Sequence, residues 1–415
     1  MTRDPAERDP LGAELVKVSL AAWPLLPNLV SDYLGPSEWL RESRLETHPL
    51  EELLPRVRHL IGDAERAGDA YVAIQARAIE AQMQVEEDAG RYGYVDLVER
   101  LLACRFEAPD ADELNELARE VDQLAAGLGF SGRDAVKRWE ERSLVRGEAK
   151  WDVALQAYLV GRRYALERFP VPFEERLDIA RTTDPITSLH LTWREPDRLV
   201  FEVNVEVPRT PATTRYEVAH NIYPGDYLHM AVLTQRSYMD GGRVAACIKL
   251  KNAPENVIAE GIEEVAPYRL NSEPDAEQRL AWKLEWLRRG ACLTGAILRR
   301  ERSEPRATVI AHLQRMGHMS PQRASQELDR IEHPLWGTYQ YSYWLGRHLV
   351  EEADTLAGSA AGGADYLGWL YGGLHVPETF LVEARRVTAG PVEVELRGGA
   401  GPSGGRPRRG GGGGA

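Results

Sequence analysis

Apolar residues recur at helical spacing in two stretches of the first 150 residues. These stretches are Leu53, Val57, Leu60 and Ile61, and Leu117, Val121 and Leu124. The run 110–113 contains three acidic residues ahead of the second stretch, where negative charge favours the start of a helix. Residues 1–150 are therefore predicted to form an N-terminal helical scaffold.

The hydrophobic pattern changes in the middle of the chain. Residues 199–207 alternate apolar and polar positions after the first three, which predicts a half-buried strand that ends before Pro208. Residues 190–193 are predicted to pair with it as a hairpin through the turn-like residues 195–197. The pattern thus predicts a small antiparallel sheet within an otherwise helical protein.

Helical spacing dominates the rest of the chain. The predicted helices are 151–169, 277–300, 322–331 and 339–357. We expect one mainly α-helical body in which the small antiparallel sheet lies beside a central cleft. The tail 396–415 is rich in glycine and arginine, cannot bury a core, and is predicted to be disordered.

Composition restricts the possible partners and the location of the protein. The chain of 415 residues carries a formal net charge of −13, so it lacks the basic surface of a nucleic-acid-binding protein. It has no apolar run of about 18 residues and no apolar segment behind its first residues, so we predict neither a membrane span nor a signal peptide. Its three cysteines are widely separated, which favours reduced thiols and a cytoplasmic location.

The segment 216–229 carries the clearest candidate chemistry. It is predicted to be helical, yet Pro224 and Gly225 interrupt it, and such a break is costly inside a helix. A kink of this kind is typical of a segment that positions functional groups. Imidazoles and carboxylates, which are ligands for zinc and related metals, surround the break: Glu217, His220, Asp226 and His229.

A second candidate is Glu260, which lies within an apolar run. Its neighbours Val257, Ile258 and Ile262 predict that its carboxylate is buried. Because a buried charge needs a partner or a metal ion, Glu260 is a further candidate ligand.

These two segments resemble the DUF885-type zinc-peptidase-like family. The metal motif of that family, His-Glu-x-Tyr-Pro-Gly-His, corresponds to residues 220–226, and its later Glu-Gly-Ile segment corresponds to residues 260–262. Further matching segments are 32–39, 203–204, 254–261, 339–346 and 370–377. The resemblance spans roughly residues 30 to 390. It implies a metallopeptidase-like fold, with residues 151–395 carrying the site.

This chain departs from the family motif at two positions. The glutamate expected to act as general base is Asn221, which cannot accept a proton at neutral pH. The second histidine ligand is Asp226, whereas His220 and Glu260 keep their types. The site is therefore either inactive, in a protein that serves as a binding protein, or rewired around a different set of ligands.

In the rewired alternative, His229 replaces the missing imidazole. It lies three residues after Asp226, on the same face of a helix. The ligand set would be His220, Asp226, His229 and Glu260, which suits zinc, manganese or iron, and the site could equally hold no metal. Glu217 would act as a base or as a partner of a ligand.

Other roles remain open for several of these residues. Asp226 could cap the helix that restarts after Gly225. Tyr339 or Tyr343 could donate to an oxyanion. Two acid-x-x-His pairs, residues 217–220 and 226–229, would form a dinuclear site if the break rotates one pair toward the other. Arg330 and His333 are candidates for binding a substrate carboxylate.

The resemblance implies a metallopeptidase-like hydrolase that acts on a peptide or another small substrate containing an amide. The alternative is a catalytically inactive family member that binds a peptide. The position of Asp226 discriminates between them. Convergence with His220 and Glu260 favours a rewired site, whereas capping, or pairing with an arginine, favours an inactive one.

Overall fold

The computed structural model describes residues 5–46, 48–169, 175, 177–183, 189–194, 198–358 and 364–388. Helices predominate in this part of the chain, which confirms the predicted mainly α-helical class. Up to residue 143 the helices are α1 Pro5–Arg8, α2 Pro10–Ala22, α3 Ser37–Leu45, α4 Leu50–Ala67, α5 Ala70–Glu87, α6 Tyr94–Leu102, α7 Ala111–Gly127 and α8 Ala135–Ser143.

Helix α7 begins at the acidic run 110–113, where the sequence predicts a helix start. The side chain of Asp110 accepts a hydrogen bond from the backbone N–H of Asp112, satisfying one of the donors that a helix start leaves unpaired. The glycine at the end of α4 is needed for a different reason. Gly68 has φ +73°, a left-handed conformation that residues with a Cβ rarely adopt.

The second half of the chain is also largely helical, and its long helices confirm those predicted from the spacing. Its helices are α9 Glu148–Arg168, α10 Pro211–Asn221, α11 Asp226–Leu233, α12 Pro254–Leu270, α13 Ala276–Ala296, α14 Arg306–Met316, α15 Pro321–Glu332, α16 Pro334–Ala357, α17 Ala364–Gly372 and α18 Pro377–Thr388. Short π-helical segments extend α11 and α13, at Thr234–Asp240 and Ile297–Glu301.

The described strands form two small sheets, not one. The strands are β1 Val30–Tyr33, β2 Leu177–Thr182, β3 Leu189–Arg194, β4 Arg198–Asn204 and β5 Ile248–Leu250. The predicted pairing is confirmed, because β3 runs antiparallel to β4. The predicted turn, residues 195–197, lies outside the described residues. Strand β2, which the sequence did not predict, pairs with β4 in parallel. A second sheet joins β1 to β5 and places Asp32 opposite Lys249.

Helix α12 lies at the centre of the molecule, and every residue from Pro254 to Pro267 is buried. It packs against α16 at a contact between Gly261 and Gly346. A Cβ on Gly346 would lie 2.0 Å from the carbonyl oxygen of Val257, and one on Gly261 would lie 2.2 Å from the carbonyl oxygen of Gly346. The two backbones can approach this closely because neither glycine carries a side chain.

The predicted boundary after residue 150 falls in the first turn of α9. Two of the hydrophobic cores of the described residues combine side chains from both sides of it. The predicted disordered tail, 396–415, lies outside the described residues. Among the residues described, we found no helix with the length and apolar character needed to cross a membrane.

Candidate functional site

The predicted kinked helix is in fact two helices joined by a tight turn. Helix α10 ends at Asn221 and α11 begins at Asp226. The turn between them contains a cis bond before Pro224 and the close-packed Gly225. A Cβ on Gly225 would lie 1.8 Å from the carbonyl oxygen of His220, so only glycine fits. This turn places His220 in the last turn of α10, facing α12.

Three buried side chains converge between α10 and α12. His220 Nε2 lies 3.7 Å from Glu260 Oε2 and 3.4 Å from Glu263 Oε2. One donor atom from each residue lies within 4.8 Å of the other two. The sequence prediction included His220 and Glu260 but missed Glu263. The spacing could have revealed Glu263, since it follows Glu260 by three residues and therefore lies on the same face of α12.

The donor set of this cluster fits a divalent metal ion. One imidazole nitrogen and two carboxylate oxygens are ligands that zinc, manganese and iron accept. Glu260 Oε2 is buried and has no hydrogen-bond partner. An unpaired buried carboxylate oxygen is unfavourable unless a cation or proton satisfies it.

The other ring nitrogen of His220 faces a third glutamate of α12. His220 Nδ1 lies 3.7 Å from Glu264 Oε1. The Tyr216 hydroxyl donates to Glu264 Oε2 over 2.6 Å, and Arg289 donates to Glu264 Oε1 through Nε and Nη2 over 3.2 and 3.1 Å. Metal-binding histidines commonly direct their second nitrogen toward a carboxylate, which fixes the tautomer. At 3.7 Å the imidazole and Glu264 do not form a hydrogen bond, and His220 Nδ1 has no hydrogen-bond partner. Nε2 faces Glu260 and Glu263.

We expect the substitution Glu264→Gln to weaken metal binding by about 10–100-fold, the range for lost partners of ligating histidines. Affinity would be measured by competition with a fluorescent zinc chelator. Glu140→Gln is the matched control, because Glu140 pairs with Arg288 and not with His220. Equal affinities for the Glu264→Gln variant and the parent would show that Glu264 does not support His220.

Asp226, predicted as a ligand, pairs with a buried lysine instead. Lys249 Nζ donates to Asp226 Oδ1 over 2.7 Å and to Glu263 Oε1 over 2.8 Å. The capping alternative is not observed either, since Asp226 is the first residue of α11 and no side chain caps that helix. Pairing of Asp226 with an arginine was the predicted sign of an inactive site. The observed partner is a lysine, Lys249, which lies in β5.

The pKa values around Lys249 reflect burial and crowding of charge. Burial, followed by the charge of Asp226, raises the pKa of Asp32. Burial alone would raise the pKa of Asp226, but the Lys249 ammonium holds it below its usual value. Burial alone would lower the pKa of Lys249, yet Asp226 and Glu263 outweigh it and keep the pKa well above the usual value. The ammonium is therefore charged at neutral pH.

The other predicted site residues near the helix break lie apart from the cluster of donor atoms. His229 is buried, with its ring centroid 6.2 Å from that of Tyr371, and burial followed by Lys249 lowers its pKa to about 3. Glu217 accepts a hydrogen bond from Arg209 Nε over 3.1 Å. Asn221 donates to the backbone oxygen of Glu217. Of the residues in the dinuclear alternative, only His220 belongs to the described cluster.

Helix α16 contributes the two predicted tyrosines. The Tyr339 hydroxyl donates to Glu260 Oε1. Tyr343 lies beside His220, with ring centroids 6.1 Å apart, and the guanidinium of Arg289 lies 3.5 Å from the centroid of its ring. The sequence analysis did not identify Arg289, which comes from α13, an element with no local signal of a site.

Arg330 and His333, the predicted binders of a substrate carboxylate, have other contacts. Arg330 is exposed and pairs with Glu327 over 3.2 Å. His333 caps α16, where its Nδ1 accepts from the N–H groups of Leu335 and Trp336. At the cluster itself, the basic side chains among the described residues are Lys249 and Arg289.

Comparison with known proteins shows similarity in fold alone. No family model and no curated protein matches the chain. Two solved structures, each described as a "putative lipoprotein", resemble it. One, from Colwellia psychrerythraea, has a TM-score of 0.56 and 15% identity over 85% of this chain. The chain spans 66% of that protein, just under two thirds of its length.

The second structure, from Shewanella oneidensis, is described as of unknown function. It has a TM-score of 0.51 and 13% sequence identity, and the match covers 93% of this chain and 82% of that protein. At these identities the two structures support the fold and carry no information about the chemistry of the site.

Proposed function

We propose that the protein is a metal-dependent hydrolase of the DUF885 type, in which His220, Glu260 and Glu263 hold a divalent metal ion and the substrate is a peptide or another small amide. The observation that carries this proposal is the convergence of three buried donor atoms around an unpartnered carboxylate oxygen. This ligand set replaces the one expected from the sequence, because Glu263 takes the place of Asp226 and His229.

The balance of buried charge also supports a bound cation. Five carboxylates surround the site, and the lysine and arginine side chains of the described residues that form ion pairs with them number two. The carboxylates are Asp32, Asp226, Glu260, Glu263 and Glu264, and the basic side chains are Lys249 and Arg289. His220 also faces Glu260, Glu263 and Glu264, and the charges of Arg347 and Lys251 act on Glu264 and Asp32 from farther away. Burying unbalanced charge is costly, so this surplus requires protons or a cation. A divalent ion beside Glu260 and Glu263 supplies two of the missing positive charges.

Hydrolysis of an amide adds water across the C–N bond and yields a carboxylic acid and an amine. A bound metal would polarise the carbonyl group of the substrate. Among the residues of the chain, Tyr343 can donate a hydrogen bond to the developing oxyanion, whereas the hydroxyl of Tyr339 already donates to Glu260 Oε1. Burial, followed by Glu260, raises the pKa of both hydroxyls, so they remain donors at neutral pH. Glu217 is held by Arg209, which leaves solvent as the proton acceptor.

We also propose a cytoplasmic location. The cysteines are free, and Cys247 and Cys292 are buried, as suits reduced thiols in the cytoplasm. The solved structures of similar fold are described as lipoproteins, which makes fractionation of cells and immunoblotting the appropriate test. Recovery of the protein with the membrane fraction would contradict this assignment.

The metal content of the purified protein tests the proposed function. We expect inductively coupled plasma mass spectrometry of protein purified without chelator to find about one zinc, manganese or iron ion per chain, since the three donors surround one position. A double variant, His220→Ala with Glu260→Ala, should lose the ion. Asp226→Asn should retain most of it, because Asp226 contacts Lys249 and not the cluster.

A metal-loaded protein would then be screened against a peptide library with mass-spectrometric detection of cleavage. Failure of the parent protein to bind any of the three metals, even after loading, would overturn the proposal. Metal that is bound equally by the parent and the double variant would contradict the assigned ligands.

A second candidate function rests on Lys249. Its ammonium already bridges Asp226 and Glu263, so the chain carries a cation of its own next to the cluster, and Asn221 cannot act as a base. These two features favour a catalytically inactive protein that binds a peptide at the same site. Metal binding without cleavage of any peptide in the library, together with peptide binding, would favour this candidate.

A further inference from the structure

We infer that Arg289 recognises a carboxylate of the substrate, so that the preferred substrates are amides with a free carboxylate beside the bond to be cleaved. Such substrates include the last peptide bond of a peptide and N-acyl amino acids. This inference rests on the proposed function and specifies its substrate class.

Arg289 is the most accessible charged group of the site. Its side chain is 24% exposed, whereas the side chains of Glu260, Glu263 and Lys249 are 3–4% exposed. His220 lies next to it with 10% exposure. A molecule that approaches the cluster from solvent on this side therefore meets the guanidinium of Arg289 before it meets the buried carboxylates.

The guanidinium is held in a fixed orientation. Its Nε and Nη2 atoms donate to Glu264 Oε1, and its plane is supported by the ring of Tyr343, with 3.5 Å between Cζ and the ring centroid. Glu264 occupies the edge of the guanidinium formed by Nε and Nη2, and the Tyr343 ring covers one of its faces. Nη1 therefore has no hydrogen-bond partner among the described residues. A fixed guanidinium loses little side-chain entropy when it binds an anion.

Tyr343 carries a second donor that is free within the described part of the chain. Its hydroxyl makes no hydrogen bond there, although its ring contacts both Arg289 and His220. Arg289 Nη1 and the Tyr343 hydroxyl are therefore free donors on two residues in contact, and both are groups that donate to a carboxylate.

The guanidinium of Arg289 shares a neighbour with the ligand His220. Glu264 Oε1 contacts Arg289 at 3.1 Å and lies 3.7 Å from His220 Nδ1, so the guanidinium and imidazole flank one oxygen. In a C-terminal peptide bond, one carbon atom separates the amide nitrogen from the carboxylate. A carboxylate this close to the cleaved bond suits a guanidinium that neighbours a metal ligand.

The surrounding charge makes this position selective. The carboxylates beneath Arg289 repel an anion that approaches elsewhere on the site, and a metal ion at the cluster lowers this repulsion. A substrate carboxylate is therefore favoured only where a guanidinium meets it. A neutral amide at the same position would offer no charge to the guanidinium of Arg289.

The test compares hippurate, an N-acyl amino acid, with its neutral amide, hippuramide, by isothermal titration calorimetry. We expect the parent protein to bind hippurate roughly tenfold or more tightly, because hydrogen bonds to charged groups are the stronger ones. Arg289→Met should abolish this ratio, and Arg289→Lys should keep part of it, since lysine retains the charge but lacks the planar fork.

Two controls separate recognition from a structural effect. Glu140→Gln removes a carboxylate partner of Arg288 and leaves Glu264, Arg289 and His220 in place, so the preference for hippurate should persist. Arg323→Met removes a comparable guanidinium–carboxylate pair, between the partly exposed Arg323 and Glu285, and should leave the preference for hippurate unchanged. Metal content is measured on every variant, so that loss of the metal is distinguished from loss of carboxylate recognition.

Equal affinity for hippurate and hippuramide, a preference that survives Arg289→Met, or no binding of hippurate at millimolar concentration would each overturn the inference. None of these results depends on whether the protein cleaves the probe. The proposed hydrolase function fails separately, if the parent protein binds no metal.

Discussion

Replacing Lys249 with methionine is expected to destabilise the protein by about 3–5 kcal/mol, the usual cost of removing one partner from a buried ion pair. The side chain of Lys249 is 3% exposed, and its ammonium contacts Asp226 and Glu263. Methionine fills similar space but leaves both carboxylates, with Asp32 nearby, without their main positive partner. Chemical denaturation monitored by circular dichroism, in buffer with chelator, would measure the loss.

The pH dependence of this loss gives a second, independent result. In the Lys249→Met protein the crowded carboxylates bind protons more tightly when folded than when unfolded, because burial and the charge of Asp226 already raise the pKa of Asp32. A group whose pKa is raised by folding stabilises the folded state as pH falls. The difference between variant and parent should therefore shrink when the pH is lowered from 8 to about 5.5.

Lys251 provides a matched control two residues along the chain. Its ammonium lies 5.1 Å from the centroid of the Trp336 ring, and its side chain is only partly buried. Lys251→Met should cost roughly 1 kcal/mol or less, as expected for a partly exposed cation–π contact. Equal losses for the two variants, or a loss at Lys249 that does not depend on pH, would contradict the role assigned to the Lys249 ion pair.

Much of the fold was predictable because helices are encoded by local spacing. The predicted helix 322–331 corresponds to α15, Pro321–Glu332, and the predicted strand 199–207 corresponds to β4, Arg198–Asn204. The strand ends three residues early, since the side chain of Asn204 accepts a hydrogen bond from the N–H of Glu206 and turns the chain. Alternation of apolar residues alone does not reveal this turn.

The missed strands depend on partners that are distant in sequence. Strand β5 has three residues, all of them buried, so it shows no alternation, and it pairs with β1 more than 200 residues earlier. Because strand pairing is set by tertiary contacts, a short buried run gives little local signal. The position of Lys249 beside Asp226 follows from this pairing and was therefore not predictable.

The candidate site was also predictable only in part, because some of its residues lie in local motifs and others come from distant elements. His220 and Glu260 belong to the segments that resemble the DUF885-type motif, and they lie together in the structure. Glu263 and Glu264 follow Glu260 at helical spacing, so their common face could have been inferred. Arg289 comes from a separate helix, and packing of α13 against α10 and α16 brings it to the site.

Replacing Gly346 with alanine is expected to separate α16 from α12, the helix that carries Glu260 and Glu263. The new Cβ would lie 2.0 Å from the carbonyl oxygen of Val257 and 2.8 Å from the nitrogen of Gly261. Both are backbone atoms, which cannot move aside as a side chain would. We expect a loss of about 3 kcal/mol or more, because overpacking of a core costs about 1–3 kcal/mol when side chains can adjust, and this cost outweighs the roughly 1 kcal/mol that alanine gains in a helix.

The separation should also reduce metal binding, since α12 carries Glu260 and α16 carries Tyr339, which donates to it. Thermal denaturation and metal content would be measured together. Gly127→Ala is the matched control, because Gly127 lies in α7 with open space where the new methyl group would lie, and it should tolerate alanine without loss. If Gly346→Ala kept the stability and metal content of the parent, the close contact of α12 and α16 could not be what holds Glu260 at the site.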